Sequence, residues 1–204
     1  MNTDSALIIF IKNPIRSQVK TRLAKSIGDA EALNVYIELL KITQTLASGF
    51  VGKKYLYYSD FIDLNDTWNS LEYNKRLQEG NNLGERMSKA MQAILKEHQK
   101  ALIIGSDCPY LRMETFFSAY QLLESQDCVI GPAKDGGYYL LGLREWLPSL
   151  FENKTWSSSN LLKETLLTLN QLGKRFKMLE ELEDIDTQEE WNRFQEFQNN
   201  QKLD

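Results

Sequence analysis

Ala6-Leu7-Ile8-Ile9-Phe10-Ile11 is apolar at every position, and this stretch decides the fold class. A strand with no polar side is buried on both faces, which is typical of the centre of a parallel sheet. Ala101-Leu102-Ile103-Ile104 has the same character and predicts a second buried strand. Segments of helical periodicity lie between such strands, so we predict an α/β layered fold with a mainly parallel sheet.

Further elements follow from periodicity and from turn residues. We predict strands at 55–58, 129–130, 138–143 and 176–179, and helices at 83–96, 113–124 and 161–169. Another helix is expected to begin at Asp29 as N-cap and to end at Gly49, and the last helix to begin at Thr187 with a capping box to Glu190. The inner face of the 113–124 helix is expected to comprise Phe116, Phe117, Tyr120 and Leu123.

Composition excludes several classes of protein. The 204 residues carry a net charge of −4, which argues against a nucleic-acid binder that relies on an overall basic field. The two cysteines are too few for a disulfide framework and indicate a reducing compartment, so we predict a cytoplasmic protein. The longest apolar run, 6–11, is far shorter than the ~20 residues that cross a bilayer, and no secretory signal or membrane span is expected. Because no repeat or linker divides the chain, we predict one domain over 1–204.

The first candidate site is the basic segment that follows the first strand. It contains five cations: Lys12, Arg16, Lys20, Arg22 and Lys25. Ligands of open α/β sheets bind beyond the carboxyl ends of the strands, where such cations can hold phosphates. A solvated basic loop is the alternative, and the glycines of a P-loop are missing.

Acidic residues follow the strand at 101–104 and precede the last helix. Asp107 at a strand end can bind Mg²⁺ or Mn²⁺, or it can accept amide hydrogens of its own turn. Asp184 and Asp186 suit a helix N-terminus whatever the function, but either one could complete a metal site with Asp107. The single histidine of the chain excludes histidine-dependent triads and zinc clusters.

Asp135-Gly136-Gly137 comes before the strand predicted at 138–143. Paired glycines allow a tight turn and a close approach of the backbone to a ligand. A plain hairpin turn is an equal alternative, because Asp-Gly is a common hairpin signal.

Six segments in order resemble a family of GT-A-like transferases found beside radical-SAM and selenoprotein genes, within the nucleotide-diphospho-sugar transferase superfamily. Relatives include the molybdenum cofactor guanylyltransferases and the phospholactate guanylyltransferases. The matching segments are Lys12-Asn13-Pro14 with Val19-Lys20-Thr21-Arg22-Leu23-Ala24, Gln78 with Leu83-Gly84-Glu85-Arg86-Met87, Ile104-Gly105-Ser106-Asp107-Cys108-Pro109, Gly131-Pro132-Ala133-Lys134-Asp135-Gly136-Gly137-Tyr138-Tyr139, Trp156-Ser157 and Asp184-Ile185-Asp186-Thr187.

The resemblance implies a three-layer sandwich with a Rossmann-like sheet of the GT-A type. It also implies roles for residues. Lys12, Lys20 and Arg22 would face phosphates, Asp107 would bind Mg²⁺ or Mn²⁺, and Asp186, or else Asp184, would complete the metal site. Gly136 and Gly137 would line the acceptor or sugar pocket, and Asp135 is a candidate general base.

Two departures from the family pattern bear on the chemistry. Ile15-Arg16-Ser17-Gln18 stands where the family usually has a glycine, so side chains rather than backbone would hold the phosphate. Asp107 is followed by Cys108-Pro109, so the Asp-x-Asp of many glycosyltransferases is absent. One early and one late acid is the arrangement of nucleotidyltransferase-like relatives.

The resemblance therefore leads to a metal-dependent transferase that uses a nucleotide substrate and a small-molecule acceptor. The first hypothesis is a glycosyltransferase acting with a nucleotide sugar. The alternatives are a guanylyltransferase-like nucleotidyltransferase acting with a nucleoside triphosphate and an inactive nucleotide-binding module. The oligomeric state does not follow from the sequence.

Overall fold

The computed structural model describes residues 4–201. The strands are β1 (Ser5–Ile11), β2 (Lys53–Tyr58), β3 (Tyr73–Leu77), β4 (Lys100–Ile104), β5 (Cys128–Pro132), β6 (Tyr138–Leu143) and β7 (Phe176–Met178). The helices are α1 (Thr21–Ile27), α2 (Asp29–Ser48), α3 (Leu83–Leu95), α4 (Met113–Leu122), α5 (Leu161–Gln171) and α6 (Gln188–Gln201). None of these six helices is long and apolar enough to cross a membrane.

The strands form one sheet in the order β3-β2-β1-β4-β6-β5-β7. Every neighbouring pair is parallel except those that involve β6, which runs antiparallel to β4 and to β5. The prediction of a mainly parallel α/β sheet is therefore confirmed. Because β1 and β4 are parallel neighbours, with Ile9 opposite Ile104, the loops that follow them leave the same edge of the sheet.

Alternate residues of β1 lie in two separate hydrophobic cores. Leu7 and Ile9 pack with residues of α2 and α4 on one face, and Ala6 and Ile8 pack with residues of α3 and α5 on the other. Burial of both faces is the reason that β1 is apolar throughout. Helices thus cover the sheet on both sides, and the three-layer sandwich is confirmed.

A third core fixes the end of the chain. Leu23 of α1 and Leu39 of α2 pack against Ile185 and against Trp191 and Phe194 of α6. Glu190 accepts hydrogen bonds from the amides of Asp186 and Thr187, so the predicted capping box at the start of α6 is present. These contacts hold the 184–187 segment beside the beginning of α1.

Three details differ from the sequence predictions. The N-cap of α2 is Gly28, with Asp29 as the first helical residue. Phe117, predicted to face inward on α4, is 56% exposed, because a position directly after the buried Phe116 points about 100° around the helix. Two elements were not predicted: α1, which buries Leu23 alone, and the edge strand β3.

Candidate functional site

A cavity of about 370 Å³ opens at the edge of the sheet where β1 and β4 end. Its floor is formed by the ends of these strands, including Ile11 and Ile104, and its rim by the loops that follow them. Five of the residues selected from the sequence line it: Lys12, Lys20, Asp107, Asp184 and Asp186. The topology therefore brings the basic loop and both acidic segments into one cleft.

Lys20 contacts both acidic segments of this cleft. Its ammonium lies 2.7 Å from Asp107 Oδ1 and 3.2 Å from Asp186 Oδ1, and it donates a hydrogen bond of 2.5 Å to the carbonyl of Ile185. The Lys20 side chain is only 3% exposed, whereas the two carboxylates are 45% and 41% exposed. Burial alone would lower the pKa of Lys20, but the charges of Asp107 and Asp186 outweigh it and raise the pKa.

The backbone at Lys20 is in the left-handed region, with φ of 47°. A residue other than glycine is strained in this region. Lys20 is also the residue that precedes α1, and the left-handed turn joins the basic loop to that helix. Strain of this kind persists where surrounding contacts over-determine it, and it is concentrated at functional sites.

A backbone contact joins the two acidic segments. The amide of Ile185 donates a hydrogen bond of 2.9 Å to the carbonyl of Asp107. Ile185 is fully buried in the third core, so this contact is shielded from water. Asp107 and Asp186, which are distant in sequence, are therefore held together by packing as well as by Lys20.

Asp184 differs from the other two acids, because its Oδ1 is shielded from solvent and has no hydrogen-bond partner among residues 4–201. Burial, reinforced by the charge of Asp107, raises the pKa of Asp184 to about 7. The Cys108 thiol lies beside Asp184, and burial together with the Asp184 charge raises the pKa of that thiol. Asp184 thus belongs to the lining of the cleft, but its Oδ1 is both unpaired and closed to solvent.

Tyr36 of α2 connects the two strand-end loops. Its hydroxyl accepts a hydrogen bond of 2.8 Å from the Lys12 amide and lies 3.3 Å from Ser106 Oγ. The ring is 1% exposed, and burial raises the pKa of Tyr36. Tyr36 packs in the core on the α2 side of the sheet, and its polar contact could not be predicted from the sequence, because helical periodicity reports burial and not the partner of a hydroxyl.

Aromatic side chains also line the cleft. Tyr138 and Trp156 line it, with ring centroids 6.4 Å apart in an edge-on arrangement. Trp156 packs against the first turn of α3, where a Cβ on Gly84 would lie 2.2 Å from the indole nitrogen. This contact accounts for a glycine in the Leu83-Gly84-Glu85 motif. The lining of the cleft therefore includes both charged and aromatic side chains.

The structure places four predicted site residues outside the set that lines this cavity: Arg22, Asp135, Gly136 and Gly137. Arg22 lies at the rim, 4.0 Å from Asp186 Oδ2, with its side chain 71% exposed. Asp135 Oδ1 accepts a hydrogen bond from the Gly137 amide, and the turn joins the antiparallel strands β5 and β6, so the hairpin that was one of the two alternatives is present. Gly136 has φ of +88°, and a Cβ there would lie 2.3 Å from the Ser159 carbonyl oxygen.

The acids of the cleft fit a divalent metal that shares its ligands with a substrate. No group of three or more His, Cys, Asp or Glu side chains within residues 4–201 is spaced to hold a metal ion alone. Mg²⁺ is commonly held by one or two carboxylates, with waters and substrate phosphates completing the shell. Asp107 and Asp186 each contact Lys20 through Oδ1, so their second oxygens are the hard donors that a metal would take, and that of Asp186 lies 4.0 Å from Arg22.

Comparisons with solved structures agree with the fold. The chain is similar to a protein from Desulfovibrio desulfuricans G20 described as a candidate nucleotide-diphospho-sugar transferase, with 27% identity, a TM-score of 0.85, and coverage of 91% of this chain and 84% of that one. This likeness agrees with the predicted transferase class of enzyme.

Two more distant structures share the fold alone. The 4-diphosphocytidyl-2C-methyl-D-erythritol synthase from Anaerococcus prevotii DSM 20548 is 13% identical, with a TM-score of 0.57 and 91% coverage of each chain. Rv0371c from Mycobacterium tuberculosis H37Rv in complex with manganese is 12% identical, with a TM-score of 0.51 and coverage of 94% of this chain and 97% of that one. No curated protein matches the chain.

The family comparison matches residues 44–158, which is more than half of the chain. These residues include β4 with Asp107, the Asp135-Gly136-Gly137 turn and Trp156, but not Lys20 or Asp186. The association with radical-SAM and selenoprotein genes stays a prediction. The chain belongs to the family described as "uncharacterized protein conserved in bacteria (DUF2064)".

Proposed function

We propose that the protein is a divalent-metal-dependent transferase that uses a nucleotide substrate, and that it transfers a glycosyl group from a nucleotide sugar to a small-molecule acceptor. One observation carries the proposal: Lys20 lies between Asp107 and Asp186 in the cleft at the carboxyl ends of β1 and β4. Ligands of open α/β sheets bind at this edge.

The charges of the cleft suit a diphosphate. Lys12 lines the cavity and Arg22 lies at its rim, and both can form charge-assisted hydrogen bonds with phosphate oxygens. Mg²⁺ or Mn²⁺ bound by Asp107 with Asp186 or Asp184 would neutralise negative charge that develops on the leaving diphosphate. Lys20 holds both carboxylates in place, and its own contact with phosphate stays a prediction.

In the proposed reaction an acceptor hydroxyl attacks the anomeric carbon of the donor sugar. The bond between that carbon and the phosphate oxygen breaks, the nucleoside diphosphate leaves, and the hydroxyl proton passes to a base. The protein's part is to hold donor and acceptor in attacking geometry, which by itself supplies much of a rate enhancement. The role of Asp135 as that base stays a prediction.

Nucleotidyl transfer is the second candidate, and the arrangement of acids favours it. Asp107 is the early acid of the cleft, and Asp184 and Asp186 are the late ones, with no Asp-x-Asp at β4. The neighbour from Anaerococcus prevotii is named as a diphosphocytidyl-compound synthase. In this reaction an acceptor phosphate attacks the α-phosphorus of a nucleoside triphosphate, and pyrophosphate leaves.

The test is a thermal-shift screen of the full chain with nucleotide sugars and nucleoside triphosphates, each with and without Mn²⁺. A ligand that binds only the native state raises the melting temperature by mass action. We expect a shift that requires both nucleotide and Mn²⁺ and that is lost in Asp107→Asn. The control is Glu189→Gln, an exposed carboxylate of α6 that makes no side-chain hydrogen bond to any other described residue.

The released product then distinguishes the two reactions. Nucleoside diphosphate indicates glycosyl transfer, and pyrophosphate indicates nucleotidyl transfer. A shift that persists unchanged in Asp107→Asn would remove the metal assignment. Nucleotide binding without any turnover would favour the inactive binding module. The cytoplasmic location and the one-domain organisation stay predictions.

A further inference from the structure

A second groove lies on the outer side of Trp156. Its volume is about 640 Å³, and it separates the exposed side of α3 from the connection that follows β6. Residues spaced three or four apart on a helix share one face. The α3 side of the groove consists of such a row, namely Asn82, Glu85, Ser88, Lys89 and Gln92. At 1.5 Å per residue this row is roughly 15 Å long.

Trp156 is the boundary between this groove and the main cleft, since its side chain lines both. The tight packing on Gly84 fixes its position. Two nearby residues, Asn153 and Ser157, have left-handed backbones with φ of 53° and 60°. Asparagine adopts this conformation readily, so only the Ser157 backbone is strained by it.

Trp146 lies on the same side of the groove as Trp156. It is 38% exposed, which is a large apolar surface to leave in water. Its indole N–H donates a hydrogen bond of 3.1 Å to Ser88 Oγ, so the ring is held across the groove from its own segment. A fixed, partly exposed indole offers a flat surface that binds the apolar face of a ring at little entropic cost.

The positive and negative charges of the groove balance one another. Glu85 and Glu152 oppose Lys89 and Lys154, and Glu85 and Lys154 are already engaged by Asn81 and Thr168. A groove without net charge has no preference for a phosphate or another multiply charged ligand. Its remaining polar groups are neutral.

Two of those neutral groups are free to bind a ligand. The side-chain amides of Gln92 and Asn153 make no hydrogen bond to any other residue from 4 to 201. An amide offers both donors and an acceptor, which matches the hydroxyl groups of a sugar. Rigid indole, uncommitted amides and balanced charge together suit a neutral molecule that has both ring faces and many hydroxyls.

We propose that this groove binds a neutral saccharide. Resting on the proposed function, we assign that saccharide as the acceptor, whose attacking hydroxyl reaches the donor past the edge of Trp156. The groove thus indicates the chemical class of the acceptor, which the lining of the main cleft does not determine. Trp146 is the residue that contributes most, because it is the exposed aromatic surface of the groove.

The experiment measures binding of neutral oligosaccharides by saturation-transfer NMR and titration. The probes are maltotriose, cellotriose, mannotriose and N-acetylated chitotriose. We expect at least one to bind the wild type, and Trp146→Ala and Gln92→Ala to bind it roughly five- to tenfold more weakly. Trp146→Phe keeps a ring face and should retain part of the affinity. The control is Phe117→Ala, which removes an exposed aromatic side chain from α4, outside the groove.

Each variant is compared with the wild type by urea unfolding before titration, and nucleotide binding with Mn²⁺ is measured in parallel. If none of the four saccharides binds the wild type, or if Trp146→Ala binds as well as Phe117→Ala, the groove assignment is overturned. If Trp146→Ala also loses nucleotide binding, it has disturbed the main cleft, and the assignment is overturned in that case too. If saccharide binding behaves as expected but no nucleotide binds the wild type, the proposed function fails and the groove stays a saccharide site.

Discussion

Lys20→Met is the substitution that tests the central contact of the cleft. Methionine retains most of the length and apolar surface of the side chain but removes the ammonium. Asp107 and Asp186 then face each other without a cation between them, and the Ile185 carbonyl loses its donor. The main loss is therefore electrostatic and not one of packing.

The size of the loss follows from burial. Removing one partner of a buried ion pair costs about 3–5 kcal/mol, because an uncompensated charge stays behind. Here the ammonium is buried but the carboxylates are 45% and 41% exposed, so water solvates part of the charge that is left. We therefore expect about 2–3 kcal/mol, at or below the low end of that range. For a chain of this size that corresponds to a drop in melting temperature of roughly 4–12 °C.

Urea unfolding at neutral pH gives the free energy of unfolding of both proteins. The pKa of Lys20 is raised above its ordinary value of 10.5, so its stabilising charge is fully present at neutral pH and is lost only as the pH rises through the raised pKa. The control is Lys25→Met, which removes an exposed lysine from α1 and should change stability by less than about 0.5 kcal/mol. If Lys20→Met is as stable as Lys25→Met, the ammonium does not hold the acids together and the description of the cleft is wrong.

Two further substitutions test neighbouring features. Because burial raises the pKa of Asp184 to about 7, the native state binds a proton that the unfolded state releases near 3.8, and stability falls as the pH rises between these values. Asp184→Asn removes this loss of stability. Urea unfolding should therefore show the variant to be more stable than the wild type at about pH 8 and equal to the wild type below about pH 4. Equal stability at the higher pH would contradict the burial of this acid. Gly136→Ala should destabilise the protein more than Gly28→Ala does. Both glycines have positive φ, but only at Gly136 would the new methyl group meet the backbone, 2.3 Å from the Ser159 carbonyl oxygen. Equal losses in melting temperature would contradict this close approach.

The sheet could be predicted where burial dictates composition. β1 and β4 are covered by helices on both faces, so their apolar runs alone were sufficient. The direction of β6 could not be derived from its composition, because a strand buried on both faces reads the same in either orientation. The signal for it is the Asp135-Gly136-Gly137 turn, whose hairpin alternative makes β6 antiparallel to β5. β3 was missed for the opposite reason. At the edge of the sheet it buries only Tyr73 and has three polar residues before the exposed Leu77, so no apolar run marks it.

The candidate site likewise has one part that the sequence predicts and one part that it does not. Polar residues at strand ends are visible in a sequence, and the rule that ligands bind at this edge selected Asp107 and the basic loop. The pairing of Lys20 with Asp186 spans 166 positions, and no local pattern contains it. Asp184 or Asp186 was weighed as a metal-site partner of Asp107, and the order of motifs shared with a family supported that pairing. Neither argument indicated that Lys20 lies between the acids.

Lys20 and Arg22 show why the roles of the cations could not be separated. Both are basic, two positions apart, and a sequence pattern treats them alike, yet one side chain is 3% exposed and the other 71%. A charge is buried only where fixed partners repay its desolvation, and those partners come from the ends of β4 and from the segment before α6. Arg22 lies two residues further on, has among residues 4–201 a single carboxylate within 4.0 Å, and so stays solvated. Lys20 is thus buried among the acids while Arg22 stays exposed, and which cation has which environment is decided by tertiary contacts alone.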